Sequence, residues 1–394
     1  MALPTQMKVG VNLFLSSPKS VTGAFIYIEE ILPALFRAGR GRTYYLLGHL
    51  DTIKYFKNKY QNFSNVKYHV FDIRRDIFVN PIRALRKLSA KIRNDYATRE
   101  TIFTKEVNLF LKKENIGLYF SPSQTIFPTS LVGVKSVTTI LDLQFEYFPE
   151  NFPASYLEKR RRDARYAVEH SDCLIAISNY TKKTLVEKYD GKPEKIQTVL
   201  WAAHEAKAEL VKIDAPQDFV LYPAALWPHK NHHVLIKALG ILKDRLPTLH
   251  VIFTGLIKGQ DLKRNLDSLI EKEEVKNRVS FLGFLSDGKL RSLYNETRAL
   301  VFPSSFEGFG IPLVEAMQFG VPIIAADNTS ITEVVGNVGI LVKTGDAEAL
   351  AGAIEKVLTD KRLRDELIEK GRERAKIFSW EKAAEETLAV FNSI

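Results

Sequence analysis

The sequence predicts an α/β protein in which parallel sheets are covered by crossover helices, and three observations support this class. Short apolar runs typical of buried strands alternate with longer segments of helical periodicity. The length of 394 residues suggests two or three domains, each large enough to bury its own core. A polar stretch at 203–217, followed by a new apolar run, indicates a boundary between two such regions.

The N-terminal half contains strand-like runs separated by helical segments. The first run, VGVNLFL at 9–15, precedes a helical pattern that opens at Gly23 and contains Pro33, where the helix can bend. Residues 80–113 indicate one or two basic helices, and 154–171 indicate a charged helix with the run KRRR. Further strands are predicted at 43–49, 66–72, 116–122, 136–143 and 173–178.

The C-terminal half repeats this alternation, so we expect a second parallel sheet with crossover helices. It starts with the strand FVLYPA at 219–224, and the chain is helical again from about Ala347. Between these points the predicted elements are a helix at 231–245, a strand at 249–254, a helix at 260–272, a strand at 278–283 and a helix at 286–297.

One segment of this half combines a buried strand, a glycine loop and a helix. The strand is ALVFP at 299–303, and Gly308 and Gly310 keep the loop after it open. Pro312 suits the first position of the helix, and Gly320 ends it. The segment therefore predicts a tight loop that leads directly into a helix N-terminus.

Such a helix start favours an anion, because its free backbone N–H groups point to one place. Glu307 and Glu315, with seven residues between them, frame the same loop. Carboxylates repel phosphate, so we expect them to accept hydrogen bonds from hydroxyl groups. A site suited to both phosphate and hydroxyls indicates a sugar nucleotide.

The charge of the chain is unevenly divided. Residues 1–200 carry 31 Lys and Arg against 19 Asp and Glu, whereas residues 201–394 carry 25 against 27. A basic first half can meet an anionic partner, or it can simply keep the protein soluble; both interpretations stay open. It contains no recognisable nucleic-acid-binding motif, so we expect no nucleic-acid partner.

The wording SSFEGFG followed by PLVEAMQFGVPII, at 304–324, resembles the glutamate–seven residues–glutamate motif of the retaining glycosyltransferases of family 4. These enzymes have the GT-B architecture: two Rossmann-like domains face a central cleft, and a C-terminal helix crosses back to the N-terminal domain. The resemblance implies an acceptor domain at 1–205, a donor domain at 206–375 and the final helix at 376–394. It also implies transfer of a hexose or deoxyhexose from a sugar nucleotide, with retention at the anomeric carbon.

The resemblance also implies roles for residues of the second half. Lys230 lies in WPHKNH, in a strand-to-helix turn, at the position of the family's diphosphate-binding lysine. We assign Lys230 and Glu307 to catalysis and expect Glu307 to accept hydrogen bonds from the donor sugar, and Glu315 from the ribose. The other donor-binding positions form the glycine loop and a rim near the nucleobase: Gly308, Phe309, Gly310, Ile311, Gly283, Phe284, Thr254 and Gly255.

Two positions depart from the family pattern. Ala225 stands where the family usually has an arginine, and Leu141 stands where it commonly has a histidine. The sequence WPHKNH is similar to the corresponding segment of a subgroup of mannosyl- and rhamnosyltransferases, which often lack the arginine. This similarity favours a GDP-mannose-like donor, with UDP- or dTDP-sugars as options. The departures also leave open a non-catalytic relative that binds a sugar nucleotide or a glycan.

Three residues of the first half are candidate acceptor or loop positions. Thr22 and Gly23 match part of a glycine-rich loop of the family, or else they form an ordinary turn before the first helix. Asp142 contacts the acceptor, or it caps the turn that follows it. The sequence supports both interpretations equally.

A resident metal or cofactor is not expected. His229, His232 and His233 cluster around Asn231, but no nearby cysteine or carboxylate completes a metal shell. We expect Asn231 to cap the helix and the histidines to pack at the surface. The sequence also lacks an Asp-x-Asp motif, which favours metal-independent chemistry in which protein groups stabilise the leaving diphosphate.

The segment PIRALRKLSAKIR at 81–93 predicts a basic amphipathic helix that either meets an anionic membrane surface or packs on a core. The first interpretation suits a saccharide acceptor that is linked to a lipid. No run of 18 apolar residues is present, and the single cysteine, Cys173, fits a reducing compartment. We therefore expect a cytoplasmic protein, with peripheral contact at the inner face of the membrane under the first interpretation.

Overall fold

The computed structural model describes residues 7–16, 23–71, 96–204, 208–257 and 259–394. In the helix that begins at Tyr96, side chains are described from residue 104 onward. Thr22 and the predicted basic helix at 81–93 lie outside the described residues.

Seven parallel strands form the sheet of the N-terminal domain, in the order β3-β2-β1-β4-β5-β6-β7. The strand order runs outward from β1 on one side and from β4 on the other. This is a Rossmann-like, doubly wound sheet, and its topological switch point lies between β1 and β4. The strands are β1 Lys8–Asn12, β2 Thr43–Gly48, β3 Val66–Val70, β4 Leu118–Ser121, β5 Lys135–Ile140, β6 Cys173–Ala176 and β7 Ile196–Thr198.

Helices connect these strands and cover the sheet. Those within the described residues are α1 Gly23–Ala38, α2 Leu50–Tyr60, α3 Tyr96–Glu114, α4 Ala154–His170 and α5 Asn179–Tyr189. The first of them buries an apolar stripe that includes Phe25, Ile28, Leu32 and Leu35. The last begins at a serine cap, because Ser178 Oγ accepts a hydrogen bond from the Thr181 amide at 3.1 Å.

The second domain has a six-stranded parallel sheet with the same winding, in the order β10-β9-β8-β11-β12-β13. Its strands are β8 Phe219–Pro223, β9 His250–Thr254, β10 Val279–Phe281, β11 Ala299–Phe302, β12 Ile323–Ala326 and β13 Gly339–Val342. Its helices are α6 His232–Leu242, α7 Gln260–Lys272, α8 Asp287–Glu296, α9 Ile311–Phe319, α10 Thr329–Val335, α11 Ala347–Thr359 and α12 Lys361–Ala375. The prediction of two parallel α/β sheets is confirmed.

The final helix, α13 Trp380–Asn392, returns to the N-terminal domain and packs along α1. The Trp380 ring lies 6.0 Å from the Tyr27 ring, and its Nε1 donates to the Ala203 carbonyl oxygen at 2.8 Å. At the other end of the helix, the Phe391 ring lies 5.1 Å from the Phe120 ring of β4. Large apolar side chains therefore fasten the end of the chain to the first domain.

Most predicted strands are present but end early at their carboxyl side. The strand predicted at 278–283, for example, ends at Phe281, and the one predicted at 136–143 ends at Ile140. The apolar runs continue beyond these strands into the loops at the carboxyl edges of the two sheets, where residues such as Leu143 are buried and others such as Phe284 are exposed. Among the described residues, none of the helices combines the length and the apolar character needed to cross a membrane.

Candidate functional site

The glycine loop of the second domain leads from β11 into α9, as the sequence predicts. Gly310 precedes the helix with φ +101°, a conformation that side chains rarely adopt. Pro312 occupies the first turn, where its missing N–H is not needed, and Gly320 ends the helix with φ +68°. A short buried helix therefore starts directly at the loop and points its positive end into it.

Two hydroxyl groups at the start of α10 hold this loop in place. Thr329 Oγ1 accepts a hydrogen bond from the Glu307 amide at 3.3 Å. Ser330 Oγ, which is fully buried, lies 2.9 Å from the Glu307 carbonyl oxygen and 3.1 Å from that of Phe309. The loop is therefore fixed on both sides of Gly308.

A second turn, between β8 and α6, carries Lys230. Residues Pro228–Lys230 form one turn of 3₁₀ helix, and Asn231 follows in the left-handed region at φ +53°. The buried Tyr222 hydroxyl donates to the Lys230 carbonyl oxygen at 2.7 Å, and it also contacts Ser304 Oγ at 2.7 Å. Because Ser304 begins the glycine loop, this tyrosine connects the lysine turn to that loop.

Lys230 and Glu307 form an ion pair, although they are far apart in the sequence. Lys230 Nζ donates to Glu307 Oε1 at 2.5 Å. The side chains are 17% and 12% exposed, so the pair is largely shielded from solvent. A cation and a hydrogen-bond-accepting carboxylate thus stand together at the mouth of the glycine loop.

The N-terminal domain approaches this loop closely. A Cβ atom added to Gly308 would overlap the Leu141 carbonyl oxygen and lie 2.9 Å from Asp142 Cβ. At the same edge, Gly23 opens α1 against the Ile311 side chain, with 4.0 Å between a Cβ placed on Gly23 and Ile311 Cδ1. The N-termini of α1 and α9 therefore lie side by side across the cleft.

Asp142 caps a turn, which is one of its two predicted roles. Its Oδ1 accepts a hydrogen bond from the Gln144 amide at 3.3 Å, and its carbonyl oxygen accepts one from the Gln124 side chain. The first contact involves one carboxylate oxygen and the second involves only the backbone, so the acceptor role of Asp142 stays a prediction.

Aromatic rings complete the contact between the domains beside Glu307. Phe306, which is 4% exposed, inserts between rings of the N-terminal domain. Its ring centroid lies 5.4 Å from Tyr147, 5.9 Å from Tyr180 and 6.2 Å from Phe148. Sequence reasoning missed this cluster, because its members are distributed over three separate segments.

Glu315 lies one turn into α9 and meets a buried tyrosine of α8. Tyr294, which is 1% exposed, donates from its hydroxyl group to Glu315 Oε2 at 2.7 Å. Burial raises the pKa of the Glu315 carboxyl group, whereas the hydrogen bond from Tyr294 and the nearby His204 and Arg291 lower it.

The predicted rim near the nucleobase forms at the ends of β9 and β10. The Gly255 amide donates to the Gly283 carbonyl oxygen at 2.7 Å, and both glycines have positive φ angles. Thr254 is buried, with 6% of its surface exposed, whereas Phe284 is 56% exposed. Of these four residues, Phe284 alone therefore offers a large accessible side chain at this edge.

The structure corrects two predictions about the histidine cluster. His229 and His232 do not pack at the surface, since they are 7% and 2% exposed, and burial lowers their pKa values to about 3 and about 4. Asn231 does not cap α6 with its side chain; its Nδ2 donates instead to the Pro303 carbonyl oxygen at 3.0 Å. Within the part of the chain that the structure describes, no group of three His, Cys, Asp or Glu side chains could hold a metal ion.

His204 connects the two domains. Its Nδ1 lies 2.5 Å from Glu30 Oε1 of α1, and its Nε2 lies 3.3 Å from Asp287 Oδ2 of α8. The hydrogen bond with Glu30 is the largest of the effects that together raise the His204 pKa to about 9. No motif in the sequence indicates this contact.

Glu333 makes a second polar contact between the domains. It accepts hydrogen bonds from the Asn179 amide at 2.9 Å and from Asn179 Nδ2 at 2.8 Å. A carboxylate of the second domain therefore caps the N-terminus of α5 in the first domain. This contact was also missed, because no residue pattern marks it in the sequence.

Taken together, these contacts build one cleft-facing site in which the N-termini of α1 and α9 and the Lys230 ammonium group supply positive charge. Glu307 in the glycine loop and Glu315 one turn into α9 supply hydrogen-bond acceptors. Such a site can bind a diphosphate and the hydroxyl groups of sugars attached to it.

Comparison with known proteins agrees with this chemistry. Residues 205–374 match the family model of the glycosyl transferases group 1. The match contains the lysine turn, the glycine loop and both glutamates. Together with the fold, it supports a glycosyltransferase of GT-B architecture.

Known relatives and solved structures extend the comparison to the whole chain. The chain is 26% identical over 267 residues to O-antigen chain mannosyltransferase B of Escherichia coli, a match that covers 65% of this chain and 70% of that protein. A glycosyltransferase of Rickettsia africae ESF-5 superposes with a TM-score of 0.73 at 18% identity, with 99% of both chains covered. Anabaena Alr3699/HepE, solved with UDP and glucose, superposes with a TM-score of 0.70 at 20% identity, with 99% and 100% covered. At these identities the two structural matches establish the fold.

Proposed function

We propose that the protein is a retaining, metal-independent glycosyltransferase that moves a hexose or deoxyhexose from a sugar nucleotide to a saccharide or lipid-linked acceptor. One observation carries this proposal: the Lys230–Glu307 pair, 2.5 Å apart, stands at the glycine loop that leads into α9, and the start of α1 lies against Ile311 at the beginning of that helix. A cation beside two helix starts suits a diphosphate, and a carboxylate beside them suits the hydroxyl groups of the donor sugar.

When the donor binds, the two residues of the ion pair contact different parts of it. The diphosphate takes Lys230 Nζ together with the amides at the start of α9, and Glu307 turns to the sugar hydroxyls. Glu315 accepts hydrogen bonds from the ribose, and the nucleobase lies near Gly283 and Phe284.

Transfer then needs no protein base. The bond between the anomeric carbon and the phosphate oxygen breaks, and the acceptor oxygen bonds to the same face of that carbon. The leaving phosphate takes the acceptor proton, so a histidine at the position of Leu141 is not required by the chemistry. Lys230 and the α9 amides stabilise the charge that develops on the leaving diphosphate.

The relatives and the charge of the chain support a choice of donor and acceptor classes. Similarity to an O-antigen chain mannosyltransferase favours a GDP-mannose-like donor and a role in polysaccharide biosynthesis. The fold neighbour solved with UDP and glucose keeps UDP-sugars as a second option. The basic first half of the sequence suits a lipid-linked saccharide met at an anionic membrane surface.

A thermal-shift screen across GDP-, UDP- and dTDP-sugars tests the proposal. A ligand that binds the folded protein raises its melting temperature by mass action, so the true donor should give the largest rise. If none of these sugar nucleotides raises the melting temperature at millimolar concentration, the proposed donor site is rejected.

A non-catalytic relative is the second candidate, because Leu141 and Ala225 depart from the family pattern. It would bind the same donor but release no nucleoside diphosphate in the presence of saccharide acceptors. Measuring that release with the donor found in the screen separates the two candidates.

A further inference from the structure

The hydrogen bond between Tyr294 and Glu315 has a consequence for nucleotide binding. Tyr294 belongs to α8, whereas Glu315 belongs to α9, and the two helices pack together beside the glycine loop. The tyrosine hydroxyl donates to Glu315 Oε2 at 2.7 Å and lies 3.4 Å from the Pro312 carbonyl oxygen. Among the described residues, this is the one hydrogen bond that the Glu315 carboxylate receives.

The tyrosine ring is held rigidly, so its hydroxyl has a fixed position. Tyr294 is 1% exposed, and its ring stacks on the Phe319 ring with 5.4 Å between centroids and 11° between planes. The Arg291 guanidinium group covers Phe319 at 5.2 Å. A buried and stacked ring leaves the hydroxyl group little freedom to follow a moving carboxylate.

We infer that Tyr294 is a positioning residue of the nucleotide site, whose hydroxyl group fixes one oxygen of Glu315 and leaves the other oxygen available to the ribose hydroxyls. This inference rests on the proposed function. A carboxylate held at one oxygen is preorganised, so a ligand does not have to restrict its rotation on binding. Without the tyrosine hydroxyl, the carboxylate would turn freely and would lose a hydrogen bond that stabilises its charged form.

The ionisation of Glu315 gives Tyr294 a second way to favour nucleotide binding. Burial raises the Glu315 pKa; Tyr294, His204 and Arg291 lower it, and Asp287 raises it. Tyr294 itself remains protonated, because burial raises its pKa well above the ordinary value. The hydroxyl group is therefore a permanent donor that favours the ionised form of Glu315 and opposes the rise in pKa that burial causes.

The test is Tyr294→Phe, which removes the hydroxyl group and keeps the ring that packs on Phe319. We expect the affinity for GDP or UDP, whichever the thermal-shift screen selects, to fall roughly tenfold at pH 8. Since the variant loses a contact that favours the carboxylate, affinity should decline at a higher pH than in the wild type as the pH is lowered. Calorimetry from pH 5.5 to pH 8 measures both effects.

Tyr44→Phe is the matched control, because Tyr44 is also buried and its hydroxyl donates to the Leu35 carbonyl oxygen at 3.0 Å in the other domain. It should leave both the affinity and its pH dependence unchanged. A further comparison is made in a Glu315→Ala background. There, Tyr294→Phe should change affinity by less than about twofold, because the tyrosine acts through Glu315.

Three outcomes are distinguishable. If the wild type binds no nucleoside diphosphate, the proposed function fails. If the wild type binds and Glu315→Ala weakens binding, but Tyr294→Phe keeps wild-type affinity and pH dependence, the positioning role is wrong. An equal loss from Tyr294→Phe with and without Glu315 would also overturn it, since that result indicates a general effect on packing.

Discussion

Gly308→Ala tests whether the close approach of the two domains is needed for transfer. In the structure, a Cβ atom at this position would overlap the Leu141 carbonyl oxygen and lie 2.9 Å from Asp142 Cβ. Both neighbours belong to the N-terminal domain, and the nearest atom is a backbone oxygen that has no rotamer with which to move away. The added methyl group therefore separates the domains at the donor site.

The size of the effect follows from this overlap. Ordinary contact begins at 3.4 Å, so the edge of the cleft has to open by roughly 1 Å. A displacement of about 1 Å between reacting groups costs on the order of 10²-fold in rate. Nucleotide binding should change much less, because the loop is expected to bind the donor through backbone amides, which alanine retains, and the added methyl group would meet Leu141 and Asp142 of the N-terminal domain. We therefore expect kcat/KM for transfer to fall about 100-fold, with nucleotide Kd nearly unchanged.

Steady-state transfer and nucleotide calorimetry, measured on the same preparations, check this expectation. Gly352→Ala is the control, because Gly352 lies in α11 and a Cβ there meets nothing within 4 Å. Wild-type kcat/KM in Gly308→Ala would refute the reasoning and would mean that catalysis does not use this approach of the domains. A large loss of nucleotide affinity would also contradict it, by placing the damage within the donor domain.

Other perturbations give equally defined outcomes. Lys230→Ala should lower the rate of transfer by roughly 10²-fold or more, because it removes a preorganised positive charge that stabilises the leaving diphosphate. The control variant Lys237→Ala, at an exposed position of α6, should keep the wild-type rate. Near wild-type kinetics for Lys230→Ala would reject the role of Lys230. Transfer should persist in excess EDTA, whereas complete loss restored by magnesium or manganese would contradict metal-independent chemistry. The contacts of His204 with Glu30 and Asp287 raise its pKa to about 9 from an ordinary 6.5, so their stabilisation is fully present below 6.5 and is lost as pH rises through 9. The melting temperature should accordingly fall more between pH 7 and 9.5 in the wild type than in His204→Gln; equal slopes would exclude this contribution.

The parts of the fold that the sequence predicts well depend on local patterns. Helix α7 begins at Gln260 and ends at Lys272, as predicted, because its apolar stripe is periodic and a glycine precedes it. Gly310 and Gly320 have positive φ angles because the loop and the helix end require them, and glycine adopts these angles without the steric cost of a Cβ atom. Buried parallel strands were found for the same reason, since they appear as continuous apolar runs.

What the sequence could not predict depends on contacts between distant segments. The spacing of His229 and His232 does not reveal that both are buried, His229 within the lysine turn and His232 with its Nε2 atom 3.3 Å from the Ala224 carbonyl oxygen. Asn231 is a preferred capping residue, but asparagine also tolerates the left-handed region, and here that second property decides its role. Pairs such as Lys230–Glu307 join different elements, and no periodicity connects them.

The departure at Leu141 has a physical explanation in this fold. Position 141 meets Gly308 through its backbone carbonyl oxygen, which every residue type has. The contact between the domains is therefore independent of the side chain, and leucine can replace histidine without separating them. Under the proposed function, leucine in place of an imidazole would remove a contact to the donor sugar but would leave the transfer step possible, because the leaving phosphate can take the acceptor proton. Position 141 should thus affect which sugar is bound more than whether transfer occurs, so activity has to be sought with several donors before a binding-only role is accepted.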